Sequence, residues 1–323
     1  MKKVRLGRTE IEITPIGLGC WQFSRGNGYI ARWWDDLPAE TIREIVAVSL
    51  QAGINWFDTA EVYGWGRSEQ SLAEALRANG VNPGDVVVAT KWFPLLRTAR
   101  SIPRTIGARI EALGGFPIDL LQVHAPVSLS RVESEMKALS RLVREKRIRA
   151  VGVSNFTANQ MRRAHAALRE EGVVLASNQM KYSLVERRIE RNGVMDAAKE
   201  LGITIIAYSP LGQGILSGKY HQDPDAIIER PGPRKRLRDF RRRGLEKTRP
   251  LVEEATRIAT AHGATASQVA LNWLVRFHGE QVVAIPGAVN VGQARENAAA
   301  LEFTLSQEEM ERLDQLSREA TSL

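Results

Sequence analysis

The chain has 323 residues, 43% of them hydrophobic and 25% charged, a composition typical of a globular protein with a sizeable core. Its net charge of +8 argues little for a nucleic-acid partner, because residues 230–249 alone hold ten basic and two acidic residues, with Phe240 as a lone aromatic. The polar opening, the lack of an apolar run of membrane-spanning length and a lone Cys20 argue against a signal peptide, a membrane span and a disulfide, so we expect a soluble cytoplasmic protein.

Short segments rich in Val, Ile and Leu alternate with amphipathic segments along the chain. The apolar segments lack the period-2 alternation of half-exposed strands, so they predict parallel strands buried on both faces. Eight such strands, each followed by a helical pattern, favour a (β/α)8 TIM barrel over an open doubly wound sheet. In chain order, the predicted strands are Pro15–Leu18, Asn55–Phe57, Val86–Ala89, Ile118–Val123, Ala150–Val153, Val174–Ser177, Ile203–Ala207 and Val282–Ile285.

Helices are predicted where apolar residues recur three and four positions apart, as in Thr41–Gln51. Two elements stand outside the repeat: an N-terminal hairpin at Val4–Ile13 and a final helix from Ser306 to about Ser317. No linker divides the chain, so residues 1–323 are predicted to form a single domain. The other helical patterns are Glu69–Ala78, Arg104–Leu113, Arg131–Lys146, Ala158–Arg169, Gly193–Leu201 and Thr248–Ala261.

Four polar residues stand at the ends of predicted strands. In a parallel barrel these positions point into the mouth that the βα loops build. A single residue of this kind is more often a solvated strand end or a cap, but four at different strand ends favour a common site. They are Asp58 after INWF, Lys91 after VVVAT, His124 after LLQV and Gln179 after VLASN.

Tyr63 lies five residues after Asp58, in DTAEVYG, and indicates what such a site would do. A loop tyrosine is usually a packing residue, and a phenol with its ordinary pKa of about 10 donates a proton poorly at neutral pH. A nearby Lys91 ammonium favours the phenolate and is expected to lower that pKa. With Asp58 holding the lysine and His124 bonding a substrate oxygen, the set predicts a general acid at Tyr63.

The motifs around these residues resemble those of the aldo-keto reductases, both the bacterial NADPH-dependent members and the potassium-channel β-subunit branch. The match covers nearly the whole chain and implies an NADP-dependent enzyme that reduces small-molecule carbonyls. In such an enzyme Tyr63 protonates the carbonyl oxygen, Lys91 and Asp58 tune it, and His124 orients the carbonyl. The motifs are DTAEVYG, GRSE, ATKW, LQVHAP, GVSNF at 152–156, IAYSPLGQGILSGKY at 206–220 and IPGA at 285–288 with the residues behind it.

The resemblance also implies where NADPH would bind. Ser154, Asn155 and Gln179 would hydrogen-bond the nicotinamide carboxamide, and Tyr208 would stack on the ring. Scattered histidines without metal-ligand spacing give no reason to expect a metal. The remaining positions implied for the cofactor are Cys20, Trp21, Asp58, Ser209, Pro210, Leu211, Gly212, Gln213, Lys219, Arg230, Gly287, Val289, Gln293, Glu296 and Asn297.

One departure from the family concerns the 2′-phosphate of the cofactor. Many aldo-keto reductases carry Lys or Arg directly after the IPG-x segment, and this chain has Val289 there. The cations that remain are Lys219, Arg295 and the loop arginines, above all Arg230 and Arg234. Concentrated loop charge favours NADPH, because guanidinium groups match phosphate geometry. A disordered basic loop and an enzyme that uses both cofactors is the alternative.

Tryptophans in or near the predicted mouth loops predict an aromatic substrate pocket, formed by Trp21, Trp33, Trp34 and Trp92. The loop Phe23–Pro38 is long, and we expect it to act as a substrate lid. Such a pocket suits aryl or medium-chain carbonyls, although these side chains are also common core or loop anchors. The oligomeric state is left open.

A regulatory subunit that senses NADPH with slow turnover is the alternative function, because the channel-associated β subunits share this fold and site. All four catalytic positions are intact, and Met1 lies only a few residues before the hairpin, so no long regulatory extension is expected. Both observations favour the enzyme, although fold resemblance alone does not fix function.

Overall fold

The computed structural model describes residues 2–24, 36–228 and 237–321. All eight predicted strands are present in one parallel sheet, preceded by the predicted antiparallel hairpin of β1 (Val4–Arg5) and β2 (Glu12–Ile13). The strands of the sheet are β3 (Leu18–Gly19), β4 (Trp56–Asp58), β5 (Val87–Trp92), β6 (Leu120–Val123), β7 (Ala150–Ser154), β8 (Leu175–Lys181), β9 (Thr204–Tyr208) and β10 (Val282–Ala284).

The sheet curls so that its first and last strands approach each other. Parallel bridges join Ile16 to Ala284 and Gly19 to Gly287, and the amide of Gly17 donates to the carbonyl of Ala284 at 2.9 Å. The strands lie in chain order, without the reversal that defines a doubly wound sheet, so that alternative is wrong. This arrangement is consistent with the TIM barrel of aldo-keto reductases and brings every strand's carboxyl end to one side.

All the predicted helices are present, and two further long ones lie near the C-terminal end. α9 lacks a one-sided apolar pattern because it is buried on almost every side. Its capping box, Thr265 with Gln268, is the sequence signal that marks its start. α8 begins at Arg242, so part of the basic segment is helical rather than loop. The helices are α1 (Ala39–Gln51), α2 (Arg67–Ala78), α3 (Ile102–Ala112), α4 (Val132–Arg144), α5 (Ala158–Glu170), α6 (Val194–Leu201), α7 (Lys219–Gln222), α8 (Arg242–Ala261), α9 (Ala266–Arg276), α10 (Val291–Ala298) and α11 (Gln307–Thr321).

The hairpin fills the amino-terminal end of the curled sheet. Leu6, Ile11 and Ile13 pack in one buried cluster with Trp56 and other inward-facing strand residues. The hairpin is also tied to the sheet by polar bonds, since the Trp56 indole donates to the Thr14 carbonyl at 2.8 Å. Apolar packing therefore occupies this end and leaves polar side chains to the carboxyl end. Within the described ranges, no helix has both the length and the apolar character needed to cross a membrane.

Candidate active site

A cavity of about 480 Å³ opens at the carboxyl ends of the strands. Residues at or near the carboxyl ends of all eight strands of the sheet line it, as the fold predicts for a site at this face. Most of the positions predicted for the catalytic and cofactor sites are therefore brought together. Those that line it are Cys20, Trp21, Asp58, Tyr63, His124, Ser154, Asn155, Gln179, Tyr208, Ser209, Pro210, Leu211, Gln213, Lys219, Gly287, Val289, Gln293, Glu296 and Asn297.

A buried ion pair lies beneath the cavity. The Lys91 side chain is fully buried, and its Nζ donates to Asp58 Oδ1 and, at 2.8 Å, to the Thr59 carbonyl. Burial opposes the charged ammonium, but Asp58 and Tyr63 outweigh it, so the pKa of Lys91 is raised. The lysine therefore stays charged at neutral pH, and its charge is held in one place.

The second oxygen of Asp58 is held by two amides. Oδ2 accepts from Gln122 Nε2 at 3.0 Å and from Gln179 Nε2 at 2.9 Å. The contact with Gln122 was not predicted, although a glutamine inside the apolar run LLQV, two residues before His124, was a signal for a residue on the same inner face. Three donors from side chains thus fix the carboxylate.

Tyr63 lies above the ion pair, with Lys91 Nζ 5.1 Å from the centroid of its ring. The Trp21 ring stacks beside it at 5.9 Å between centroids. Burial raises the pKa of Tyr63, and Lys91 lowers it without compensating, so the net direction is upward rather than the lowering expected from the sequence. The phenol therefore keeps its proton at neutral pH, with a cation beside it to stabilise the phenolate.

His124 meets Tyr63 edge-on, with 5.7 Å between ring centroids and an angle of 83°. Its Nδ1 is buried and has no hydrogen-bond partner in the described part of the chain. Burial, and then the Lys91 charge, lower the pKa of His124 to about 3. The imidazole is therefore neutral near pH 7, and it can donate a hydrogen bond through one ring nitrogen without acting as a cation.

Ser154, Asn155 and Tyr208 form a chain of polar bonds along one wall. The Ser154 hydroxyl donates to the Gln179 carbonyl, the Asn155 amide donates to the Ser154 hydroxyl, and the Tyr208 hydroxyl donates to Asn155 Oδ1, each at 3.0 Å. Asn155 and Ser209 have φ values of +60° and +50°, which is uncommon for residues other than glycine. Strained backbone of this kind concentrates at ligand sites.

The far end of the cavity is built from the segment after β10 and the start of α10. Gly287 lies where a Cβ would come within 2.4 Å of the Gln22 amide, and its carbonyl accepts from Asn297 Nδ2 at 3.1 Å. Gln293 caps this segment by accepting from the Val289 amide at 3.0 Å. Lys219 is the one basic side chain among the described residues that line the cavity.

Comparison with known proteins fits this geometry. The model of the aldo/keto reductase family matches residues 15–318. The chain belongs to the aldo/keto reductase family. It is 37% identical over 309 residues to an uncharacterised oxidoreductase of Mycobacterium tuberculosis, covering 95% of this chain and 90% of the relative. It is 31% identical over 333 residues to the chloroplastic pyridoxal reductase of Arabidopsis thaliana, covering 99% of this chain and 87% of that protein.

Solved structures give the same assignment. A thermostable aldo-keto reductase in complex with the inhibitor epalrestat superposes with a TM-score of 0.77 at 31% identity, over 98% of this chain and 100% of that chain. The glycerol dehydrogenase of Gluconobacter oxydans gives 0.83 at 26% identity, over 99% and 96%. The family and these names support an oxidoreductase.

Not every predicted residue of this aldo-keto reductase lines the cavity. Trp92 is buried among the helices, where its indole donates to the Ser101 hydroxyl at 3.0 Å, so its assignment to the substrate pocket is wrong. The reason is strand alternation: Lys91 points inward, and the next residue points to the opposite face. Gly212 is buried and Arg295 is exposed, and neither lines the cavity. Trp33, Trp34, Arg230 and Arg234 lie outside the described residues.

The loop that carries Tyr63 has an anchor that sequence reasoning missed. Glu61 is almost fully buried and accepts from the Phe93 amide at 3.0 Å and from Arg97 at 2.8 Å. These bonds tie the loop after β4 to the loop after β5. The acid inside DTAEVYG was the available signal, since a charge in a buried motif needs a partner. Other lining residues that were not predicted as site residues are Gly19, Gln22, Val62, Phe93, Gly214, Ser217, Tyr220, Ser267, Ile285, Pro286 and Asn290.

Proposed function

We propose that the chain, as a single (β/α)8 barrel domain, reduces aldehydes or ketones with NADPH and catalyses the reverse oxidation of the alcohol. Tyr63 is the general acid. The observation that carries this proposal is the fully buried Lys91–Asp58 pair beneath a protonated Tyr63, at the floor of a cavity large enough for a ligand. A buried charge pair is costly to maintain, so its place at the cavity floor supports a functional role.

The residues of the cavity fit a nicotinamide dinucleotide. Ser154, Asn155 and Gln179 offer hydroxyl and amide groups to a carboxamide, and Tyr208 borders the same wall. At the far end Gly287 lines the cavity beside Gln22, and a Cβ at this position would clash with the Gln22 amide. When bound, the reduced nicotinamide supplies the hydride.

The chain's own residues supply and control the proton. Tyr63 holds it on its hydroxyl at neutral pH, because burial raises the pKa of the phenol. Lys91 stabilises the negative charge that the phenolate acquires after donation, and Asp58 keeps the ammonium in position. Neutral His124 shares the same part of the cavity and donates a hydrogen bond that orients the carbonyl oxygen.

The substrate side of the mouth is apolar. Each of the loops after β4, β5 and β6 contributes a lining residue, namely Tyr63, Phe93 and His124. Beyond these residues, the segments 62–66, 93–96 and 124–130 carry no acidic or basic residue other than the neutral His124. This supports an uncharged aryl or medium-chain carbonyl as substrate. The exposed apolar side chains on the three loops are Trp65, Leu95, Leu96, Val127 and Leu129.

A panel of aldehydes, ketones and sugars tests the proposal, with NADPH and with the Tyr63→Phe variant as control. We expect the absorbance of the reduced nicotinamide to fall with apolar aldehydes faster in the wild type than in the variant. Consumption of NADPH no faster than in the variant, with every carbonyl tried, contradicts the proposal. Tight NADPH binding without turnover would instead support a sensing subunit.

A further inference from the structure

We propose that Gln122 is a positioning residue that holds the Asp58 carboxylate in place. Asp58 lies between Lys91, which neighbours Tyr63, and Gln179, which is proposed to bind the nicotinamide carboxamide. This inference rests on the proposed role of Tyr63 as the acid. Gln122 touches neither the cavity nor the phenol; it acts through Asp58 and Gln179. Its amide makes the position of Asp58, and hence of Lys91, independent of what happens at Gln179.

The hydrogen bonds define this position. Gln122 Nε2 donates to Asp58 Oδ2 at 3.0 Å, and Gln122 Oε1 accepts from Gln179 Nε2 at 3.4 Å. Gln179 Nε2 also donates to the same Asp58 oxygen at 2.9 Å, so the three side chains form a closed triangle. Gln179 therefore has its amide nitrogen committed to the ion pair and its amide oxygen left for a ligand.

The fold makes room for this glutamine. Gln122 on β6 is fully buried and lies in register with Lys91 on β5 and Gly152 on β7. A Cβ at Gly152 would lie 2.9 Å from Gln122 Cγ and 2.4 Å from the Ser177 hydroxyl. Glycine in the middle of a strand is otherwise unfavourable, so its presence here is explained by the space that the neighbouring polar side chains need.

Gln179 connects the proposed carboxamide site to the ion pair, and Gln122 limits the effect of this connection. A ligand that binds the Gln179 amide oxygen can move a side chain that also donates to Asp58. With Gln122 present, Asp58 keeps a second amide donor when Gln179 moves. Without it, the carboxylate turns toward Lys91 alone, and the ammonium that stabilises the phenolate is drawn away from Tyr63.

The test compares Gln122→Met, which keeps the shape and removes both hydrogen bonds, with Asn272→Leu as matched control. Asn272 is also a fully buried amide, but it lies on α9 and donates to the carbonyls of Ala300 and Phe303. In Gln122→Met we expect kcat to fall about tenfold, the effect of losing one hydrogen bond to a charged group. The alkaline limb of the pH–rate profile moves to higher pH, because the pKa of Tyr63 rises. Asn272→Leu lowers Tm and leaves the profile in place.

Two further readouts do not depend on turnover. Absorbance titration of the protein without nucleotide, with Tyr63→Phe to identify the signal, should show the Tyr63 phenol titrating at higher pH in Gln122→Met. NADP⁺ binding should stay within about threefold of wild type, whereas Gln179→Leu weakens it, as expected when one hydrogen bond to the ligand is lost. In kcat the two substitutions should be far from additive.

The outcomes separate this proposal from the proposed function. A titration and a pH profile that superimpose on wild type after scaling would reduce Gln122 to a core filler and overturn the proposal. If the Tyr63 titration moves but no carbonyl is reduced, the positioning role stands and the reaction does not. If Gln122→Met does not fold, Gln122→Glu replaces it: a carboxyl beside Asp58 must share a proton, so kcat should fall as that proton is lost with rising pH.

Discussion

The two ends of the cavity are built in different ways. At the acid end, Asp58 and Lys91 are fully buried on neighbouring strands, and besides each other they have three hydrogen-bond partners: Thr59, Gln122 and Gln179. At the far end, where the nucleotide is proposed to bind, Lys219 and Gln293 are exposed and stand on short or terminal helical turns. One end is fixed by burial, and the other is open to solvent.

This difference predicts how the two ends respond to change. In a low-dielectric interior each lost partner leaves a charge or dipole uncompensated, so single substitutions have large effects. At an exposed end, water solvates the groups that a substitution leaves without a partner, and salt screens their charges. A neighbouring cation can also take the place of one that is removed. The effects of substitution on activity and binding should therefore decrease from Tyr63 to Lys219.

Tyr63→Phe should give the largest loss. The variant keeps the ring that stacks on Trp21 and removes the hydroxyl proton, so nucleotide binding should be unchanged. We expect kcat to fall by roughly 10²–10⁴-fold, the usual contribution of a positioned acid. Steady-state kinetics with a good aldehyde and a direct measurement of the NADPH Kd check this. A variant with near-normal kcat would remove Tyr63 from the mechanism.

Lys91→Met should come next, with a loss of roughly 10²-fold in kcat, because one preorganised charge is removed from the acid. The sign of the pH effect follows from the structure. Lys91 lowers the pKa of Tyr63 against the larger effect of burial, so its removal raises that pKa further. Reduction needs the protonated phenol, and its alkaline limb should therefore move to higher pH. A profile that differs from wild type in height alone contradicts the tuning role.

Asp58 and Lys91 are expected to act as one unit. When Asp58→Asn is combined with Lys91→Met in a double-mutant cycle, the loss in kcat should be smaller than the sum of the two single losses expressed as free energies.

Burial also explains which parts of the molecule were predictable from sequence. Strands buried on both faces have an unbroken apolar pattern, and a polar residue directly after such a strand stands out, as Asp58, Lys91 and His124 do. Gln122 was missed because it interrupts its strand instead of ending it. Trp92 was misplaced because one step along a strand reverses the face, and a motif such as ATKW does not show which residue points inward.

The residues at the far end of the cavity were harder to predict from sequence, because the candidate cations come from loops and helix ends. Of the cations predicted to replace a lysine or arginine at Val289, Lys219 lines the cavity and Arg295 does not. Both are exposed and belong to short or peripheral helices, and nothing in hydrophobic periodicity determines which way such a side chain points. Charge in the sequence identified the candidates, and the fold separates Lys219 from Arg295.

The exposed apolar side chains on the loops after β4, β5 and β6, including Leu96 and Leu129, form what we call the apolar rim. Their loss should have an intermediate effect on KM that depends on the substrate. The amide of Leu129 donates to the carbonyl of Arg97 at 2.8 Å, so the loops that carry Leu96 and Leu129 are joined. Leu96→Ser and Leu129→Ser should raise KM for long n-alkanals, by about fourfold for each methylene that loses apolar contact, and leave propanal unchanged. Val174→Ser, a partly exposed valine before β8, is the control. Equal KM changes for short and long aldehydes would show that the rim does not contact substrate.

Lys219→Gln should have the smallest effect, and it separates the two nicotinamide cofactors. Lys219 is the lining cation of the described residues, and the carboxylate Glu296 also lines the cavity. An exposed ammonium contributes modestly, so we expect the Kd for NADPH to rise about two- to fivefold and the Kd for NADH to stay unchanged. Because charges in solvent are screened over about 8 Å at physiological ionic strength, the difference between the two Kd changes should shrink as salt is added.

Two further variants control this prediction. Arg295→Gln, which replaces an exposed arginine on α10 outside the cavity, should change neither Kd and controls for net charge. Glu296→Gln should act in the opposite direction and tighten NADPH relative to NADH, since it removes the opposing carboxylate. A wild type that binds both nucleotides equally at low salt would remove the proposed NADPH preference, and with it the reason to assign Lys219 to the 2′-phosphate.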